Sequence, residues 1–322
     1  MKALVTVAVA TYNSAPWIVE TLESVYNQTY PNLALVVSDD CSTDDTIEII
    51  RNWVAQERVQ KRFHSVDVIT VEKNTGVSAN CNRCLAITPS DWLKFLGGDD
   101  VLFPNCIEDN MAFVDQNPQV NIVFSQIKLY QDEFKEENHF KTTPEEFPIN
   151  LMRESLSAND QYQLLLVSDR IHYTPSVFTN KNTLLKVGGY DEWNRMVEDY
   201  PMWLKLTGSG VRLYYFHKVT VGYRIHSKAI NNVGDTVLFK PSLFNSFEIR
   251  KKTAHPFLPW EMVASEHYVY SISRFFQNMG WNKKGPMTTF FYRLGCFYAN
   301  PFYYFYSIKR RMPSNKNNLF YS

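Results

Sequence analysis

Phe95-Leu96-Gly97-Gly98-Asp99-Asp100 ends an apolar run on two glycines and two adjacent carboxylates. Neighbouring carboxylates repel unless something positive offsets them. A hard divalent cation does so, keeping few protein ligands and completing its shell with phosphate oxygens and water. The glycines let the backbone pass close to a bulky ligand. Gly-Asp and Asp-Asp are also ordinary turn residues, which is the plain alternative. Asp39-Asp40 ends a second apolar run. A carboxylate there can accept hydrogen bonds from a base or ribose, or it can begin the cap of the next helix, a task that suits Asp44 better. Tyr12, just past the first apolar run, offers a ring either for stacking on a base or for packing in a turn.

Glu198-Asp199 opens a helical pattern that continues Tyr200-Pro201-Met202-Trp203-Leu204. Carboxylates and Pro are at home in a first helical turn; the chemical reading is a general base, or a partner that positions one. His226, in Tyr223-Arg224-Ile225-His226-Ser227, can ligate a metal or bind phosphate beside Arg224, though a lone His is commonly structural. Cys81-Asn82-Arg83-Cys84 lacks the second pair that a zinc ribbon needs and lies inside a helical pattern, so no role is assigned to it. The sequence holds no Gly-Lys-Ser/Thr phosphate loop, no Gly-x-Gly-x-x-Gly fingerprint and no Gly-x-Ser-x-Gly nucleophile elbow.

The elements that must position these residues alternate. Val-rich Leu4–Ala10 and Leu33–Val37 read as strands buried on both faces, followed by Val68–Val71, Trp92–Leu96 and the longer Val120–Tyr130. Helical patterns separate them: one from Trp17 to Pro31, one over Thr46–Gln56, one through Ala86 and one over Pro104–Asn117. Strands alternating with helices give a doubly wound α/β sheet, whose ligands bind at the carboxyl ends of the strands. Thr11-Tyr12-Asn13, Asp39-Asp40 and Asp99-Asp100 all lie at such ends. Residues 131–152 read as an exposed excursion or a boundary. Helices follow over Gln161–Val167, at Leu184–Lys186 with a Gly188-Gly189 stop, and over Asp199–Thr207; Thr174-Pro175-Ser176-Val177 leads into a strand, and another lies over Val211–Phe216.

Length and composition bound the rest. The 322 residues carry 33 basic and 33 acidic side chains, and a neutral balance argues against a nucleic-acid partner. Hydrophobic residues at 45% suit a folded chain with a full core. Five scattered Cys do not make a disulfide framework. The N-terminal apolar run is short and meets Thr11-Tyr12-Asn13 at once, so it reads as a strand and not a secretion signal. No stretch reaches about 18 uninterrupted apolar residues, so no membrane span is expected and a cytoplasmic location is the default.

Taken in order, Val9-Ala10-Thr11-Tyr12-Asn13, Ser38-Asp39-Asp40-Cys41-Ser42-Thr43-Asp44, Asn74-Thr75-Gly76-Val77-Ser78, Phe95–Asp100, Gly188-Gly189-Tyr190-Asp191-Glu192 and Glu198-Asp199-Tyr200 resemble the family 2 glycosyltransferases. The resemblance covers residues 1 to about 230. It implies an α/β fold of the GT-A type, a Rossmann-like nucleotide-diphospho-sugar transferase fold, with a C-terminal helical, aromatic-rich extension. The domains it implies are a catalytic domain over 1–235, with a nucleotide-binding half over 1–130 and an acceptor half over 150–235, and the extension over 236–322. By the same resemblance Ala10, Tyr12, Asp39, Asp40, Asn74 and Asp99 contact the nucleotide. Asp100, with Asp99 and His226, holds a divalent cation, Mn2+ or Mg2+, Asp100 being the better direct ligand. Asp199 is the catalytic base, with Glu198 beside it. The implied reaction is an inverting transfer from a nucleotide-diphospho-sugar, UDP-linked by family frequency, to a saccharide or lipid-linked saccharide in cell-surface polysaccharide synthesis. The chain departs from the family pattern at Ala10 (commonly Pro), Cys41 (usually Gly), Gly97 (the first acidic position) and Cys81 (often Arg), the last leaving a contact missing or supplied by Arg83.

Phe290–Leu294 and Phe302–Tyr306, followed by Lys309-Arg310-Arg311, suit a helix lying in a membrane interface, at the inner face of the cell membrane. A helical extension packed on the catalytic domain, or a dimer contact, is the alternative. Two other functions remain in view: a non-catalytic nucleotide-sugar-binding or scaffold protein on the same fold, and a nucleotide-dependent oxidoreductase. The missing dinucleotide fingerprint counts against the oxidoreductase.

Overall fold

A computed structural model of the chain describes residues 2–226, 236–240, 242–315 and 317–321. The chain divides into two compact units, one of residues 1–162 and 170–226, the other of residues 163–169 and 227–322. The boundary expected at 235/236 falls at the edge of residues 227–235, outside those described.

The first unit opens with β1 (Val5–Thr11), α1 (Ile18–Tyr26), β2 (Leu33–Asp39), α2 (Thr46–Val54), α3 (Glu57–Arg62), β3 (Val66–Thr70), α4 (Val77–Ile87) and β4 (Trp92–Gly97). It continues with β5 (Val101–Leu102), α5 (Cys106–Gln116), β6 (Ile122–Gln131), β7 (His139–Thr143), α6 (Ile149–Met152), α7 (Ala158–Val167), β8 (Phe178–Asn180), α8 (Lys181–Lys186), α9 (Asp199–Gly208) and β9 (Tyr214–Ile225). The C-terminal residues of α7 belong to the second unit.

The strands form a single sheet in the order β3-β2-β1-β4-β8-β6-β9-β5, with β7 on the side of β6. Around β1 the pairing is parallel, as the alternating pattern predicts. Beyond β4 the sheet is mixed: β8 runs antiparallel to both β4 and β6. The strand expected after Thr174–Val177 is β8, but it runs antiparallel, and the expectation of a doubly wound sheet is corrected there: three residues carry no pattern that sets a direction. Residues 131–152 also hold more than an excursion: β7 pairs with β6. The last strand is twelve residues long and runs straight to His226, joining the strand expected over Val211–Phe216 to the one expected just before His226. Its alternation is broken by a register shift against β6, which hid its length.

Every residue of β2, and all of β1 except Ala10, is buried. Each such Val or Leu contributes about 1.5–3 kcal/mol relative to exposure, so the central strands anchor the sheet whose edge carries the polar loops. Lys94 is the exception inside β4. It is fully buried, and its Nζ donates to the carbonyls of Pro175 (2.5 Å) and Val177 (3.2 Å). Burial lowers its pKa to about 8.

The second unit holds α10 (Ser242–Thr253), α11 (Trp260–Asn278), α12 (Pro286–Arg293), a π turn over Leu294–Tyr298, and α13 (Pro301–Arg311). Its interior is aromatic. Phe247 and Tyr270 stack with ring centroids 4.1 Å apart, and Tyr292 stacks on Phe239. Arg250 donates to Glu266 and to the carbonyls of Leu166 and Val167, so the segment 163–169 is tied into this unit. Among the described residues no helix is long and apolar enough to cross a membrane.

Candidate active site

Register places the polar ends side by side. Thr11 of β1 pairs with Asp39 of β2, and Ala10 pairs with both Ser38 and Gly97. Ala10 contributes through its backbone, its carbonyl accepting from Gly98 N at 3.1 Å. Tyr12 stands 46% exposed at this edge. Asn13 takes a positive φ of 53° and stitches the loop to the next one: its N donates to Ser42 Oγ, and its Oδ1 accepts from Thr43 N. Cys41, where the family usually has Gly, is also left-handed at φ 64°.

The paired aspartates of β2 divide their work. Asp39 is buried and spends its carboxylate on Ser42 and Thr70. Asp40 accepts from Thr75 N (3.0 Å), Thr75 Oγ1 (2.6 Å), Gly76 N (2.7 Å) and Arg83 Nη2 (2.7 Å). Burial works against its charge, but these hydrogen bonds outweigh that and hold the carboxyl below its usual range. Arg83 also reaches Thr75 and Asn80. It stands beside Asp40, while Cys81 is buried within α4. Burial pushes the Cys81 and Cys84 thiols up, the latter to about 12, which is the opposite of a reactive pair.

Asn74 and Gly76 receive the loop that precedes α9. Arg195 Nη2 donates to Asn74 O (2.7 Å) and Oδ1 (2.8 Å), and Val77 N donates to Arg195 O. Gly76 sits at φ +94°, and a Cβ on it would meet Arg195 O at 2.6 Å. Only glycine allows that approach. Asn82 clamps the backbone of Tyr190 from both sides. The Gly188–Glu192 segment is thereby fixed to α4, and it leads directly to Glu198-Asp199.

Asp99 and Asp100 turn back over β4. A Cβ added to Gly97 would lie 2.8 Å from Asp99 Oδ1 and 3.3 Å from Asp100 Oδ2, so the glycine leaves a cradle into which both carboxylates project. Asp100 is buried, and its Oδ1 accepts from Arg224 N at 3.0 Å. Burial and then Asp99 push its carboxyl well up. Asp99 is the more accessible of the two, its side chain 35% exposed, and its Oδ2 lies 3.1 Å from His226 Nε2. The His226 ring packs on Trp17 with centroids 3.9 Å apart. Among the described residues no three His, Cys, Asp or Glu side chains are grouped to hold a metal by themselves. Arg224, read from sequence as a phosphate contact, is buried under the turn. Its guanidinium donates to Asp99 O, Asp132 O and Glu20 and lies over Phe134.

Asp199 accepts from Thr174 Oγ1 at 2.9 Å and from Tyr200 N at 2.7 Å. Burial, with Asp199 adding to it, pushes Glu198 up to about 8. Tyr223 feels both acidic pairs: burial first, then the charges of Asp100, Asp99, Glu198 and Asp199, push its pKa up. Sequence reasoning gave no role to Tyr223, Arg195, Asn80 or Thr174; Tyr223 and Thr174 stand in stretches singled out for other reasons, and Arg195 and Asn80 outside any motif.

Residues 6–174, just over half of the chain, match the sequence profile of glycosyl transferase family 2. The chain belongs to this family. An uncharacterised glycosyltransferase of Haemophilus influenzae is 29% identical over 206 residues, 63% of this chain and 62% of that relative, so the match spans less than two thirds of the relative's length. The Escherichia coli protein named UDP-Glc:alpha-D-GlcNAc-diphosphoundecaprenol beta-1,3-glucosyltransferase is 26% identical over 231 residues, 71% of this chain and 80% of that one. Staphylococcus aureus TarS (residues 1–349), solved with UDP-GlcNAc, superposes with a TM-score of 0.57 at 18% identity over 85% of this chain and 75% of that one. A mannosyltransferase of Pyrobaculum calidifontis solved with GDP-Man and Mn2+ gives 0.53 at 17% identity over 94% of this chain and 72% of that one. Their likeness establishes the mixed α/β GT-A-like fold of this family 2 member.

Proposed function

We propose that this family 2 member transfers a sugar from a nucleotide-diphospho-sugar to a saccharide acceptor, with inversion at the anomeric carbon. The observation that carries the reading is the Gly97 cradle into which Asp99 and Asp100 project, at the same strand edge that holds Asp40 and Tyr12. The base of the nucleotide stacks on exposed Tyr12 and bonds toward Asp40, with Arg83 and Asn74 at its flank. Asp39, spent on its own turn, supports the nucleoside side through backbone shape.

The Gly97 cradle, with the carboxylates of Asp99 and Asp100 facing it and His226 Nε2 3.1 Å from Asp99 Oδ2, fits a divalent cation that takes its other ligands from phosphate and water. Asp99 and Asp100 would hold Mn2+ or Mg2+ there, which would supply positive charge to offset that on a departing diphosphate. His226 orients Asp99. Asp199, held by Thr174, accepts the proton of the attacking hydroxyl. Glu198, pushed up to about 8 by burial and by Asp199, carries a proton at neutral pH. With Asp199 acting as base and the hydroxyl attacking directly, a single displacement inverts the anomeric carbon.

A lipid-linked saccharide in cell-surface polysaccharide synthesis is the acceptor we favour, in keeping with the E. coli relative, and a UDP-sugar the donor. Such an acceptor places the enzyme at the inner face of the cell membrane. The deciding experiment incubates the protein with UDP-, GDP-, CDP- and dTDP-sugars and lipid-linked acceptors in Mn2+, and reads the anomeric configuration of the product by NMR. A single inverted product, lost in Asp199→Asn with nucleotide binding kept, supports the reading. Nucleotide binding with no transfer in any combination favours a non-catalytic binding protein.

A further inference from the structure

Residues 267–322, the last 56 of the chain, hold eight Lys and Arg and no Asp or Glu, although the whole chain is neutral. This asymmetry coincides with an unusual surface. Helix α12 and the π turn after it run continuously from 286 to 298. Met287, Phe290, Phe291, Leu294, Phe297 and Tyr298 recur at helical steps along it and therefore share a face. All six are exposed, Met287 at 72% and Tyr298 at 69%. The inward side is already filled: Cys296 is buried, and Tyr292 stacks on Phe239 and meets Phe276 edge-on. A surface helix ordinarily turns its polar face outward; this one presents a second apolar face. On α13, Tyr304, Phe305, Ile308 and the capping Met312 are likewise exposed, while Tyr306 stacks inward on Tyr321. Ten large side chains about half exposed present on the order of 1,000 Å², beyond the roughly 300–600 Å² of the largest patch on a typical monomer. Lys283, Arg293, Arg310 and Arg311 are exposed on the same segments.

We propose that this aromatic and basic face docks the protein on an anionic lipid bilayer. Aromatic side chains enter the headgroup boundary while Lys and Arg meet acidic headgroups. A second copy of the chain is the poorer occupant. A two-fold interface sets a patch against itself, and this one would bring basic clusters together with no acidic residue between 267 and 322 to offset them. The proposal stands on this surface alone, so it and the transferase reading fail separately.

The test is flotation of the full chain with vesicles of phosphatidylcholine alone, or with one part in three of phosphatidylglycerol. Binding is expected on the anionic vesicles and is weakened by salt. Phe290→Glu with Phe297→Glu abolishes it. Arg310→Gln with Arg311→Gln lowers affinity for the anionic vesicles by about fivefold per charge, roughly 25-fold in all. The arginine pair keeps the test decisive if the phenylalanine variant fails to fold by circular dichroism. Absence of flotation on anionic vesicles overturns the proposal, as does undiminished flotation of both variants. A dimer in lipid-free light scattering that the same substitutions dissociate gives the face to a second copy, and overturns it too.

Discussion

Glu198→Gln tests the electrostatics of the site through stability alone. Glu198 titrates near 8, against an ordinary value of 4.5, because burial and Asp199 both disfavour its charge. A carboxyl whose native pKa lies above its unfolded value keeps its full stabilising contribution below about pH 4.5. That contribution is lost as pH rises through the native pKa, since the native state holds the extra proton in between. The slope is about 1.4 kcal/mol per pH unit, so between pH 5.5 and 7.5 the wild type loses about 3 kcal/mol on this account. Glutamine mimics the protonated carboxyl and cannot ionise. Urea unfolding of both proteins at pH 5.5, 6.5 and 7.5 should show Glu198→Gln gaining on the wild type by about that amount across the range. Titrating groups that do not interact with Glu198 cancel in the difference. A stability difference that stays constant from pH 5.5 to 7.5 would refute the reasoning, and with it the assignment of Glu198 as the protonated member of the pair.

Three further perturbations separate scaffold from site. Cys41→Gly relieves a left-handed backbone at φ 64° and should raise stability by about 0.5–1 kcal/mol, read as an increased thermal midpoint. Arg224→Met strips hydrogen bonds from Asp99 O and Asp132 O and should cost about 2–3 kcal/mol by urea titration; an unchanged midpoint contradicts its role beneath the turn. Gly97→Ala forces a Cβ into the cradle of Asp99 and Asp100 and should weaken Mn2+-dependent nucleotide binding at least tenfold by calorimetry, with the circular dichroism spectrum unchanged.

The strand edge was legible because parallel strands buried on both faces leave long apolar runs, as in β1 and β2, and end abruptly on polar residues. The Asn74–Gly76 turn was legible as a turn, but its reason was not. Gly76 makes room for Arg195, 119 residues later in the sequence, and no local pattern encodes that contact. Arg224 shows the converse. Its type suggests phosphate, and only the fold shows the guanidinium spent on backbone carbonyls and Glu20. The strand after Thr174–Val177 was legible, but its antiparallel direction was not, and β7 went unread, because three to five residues carry no decisive period and their pairing is set by neighbours. The mixed half of the sheet lies in that gap.

The most direct test of a nucleotide site at the Asp99-Asp100 edge is calorimetric titration of UDP, GDP, CDP and dTDP into the protein, each with Mn2+ and again with chelator. The account predicts that one nucleotide binds, that chelator abolishes binding, and that Asp99→Asn with Asp100→Asn does the same. Tight nucleotide binding that is indifferent both to chelator and to the double substitution would contradict it.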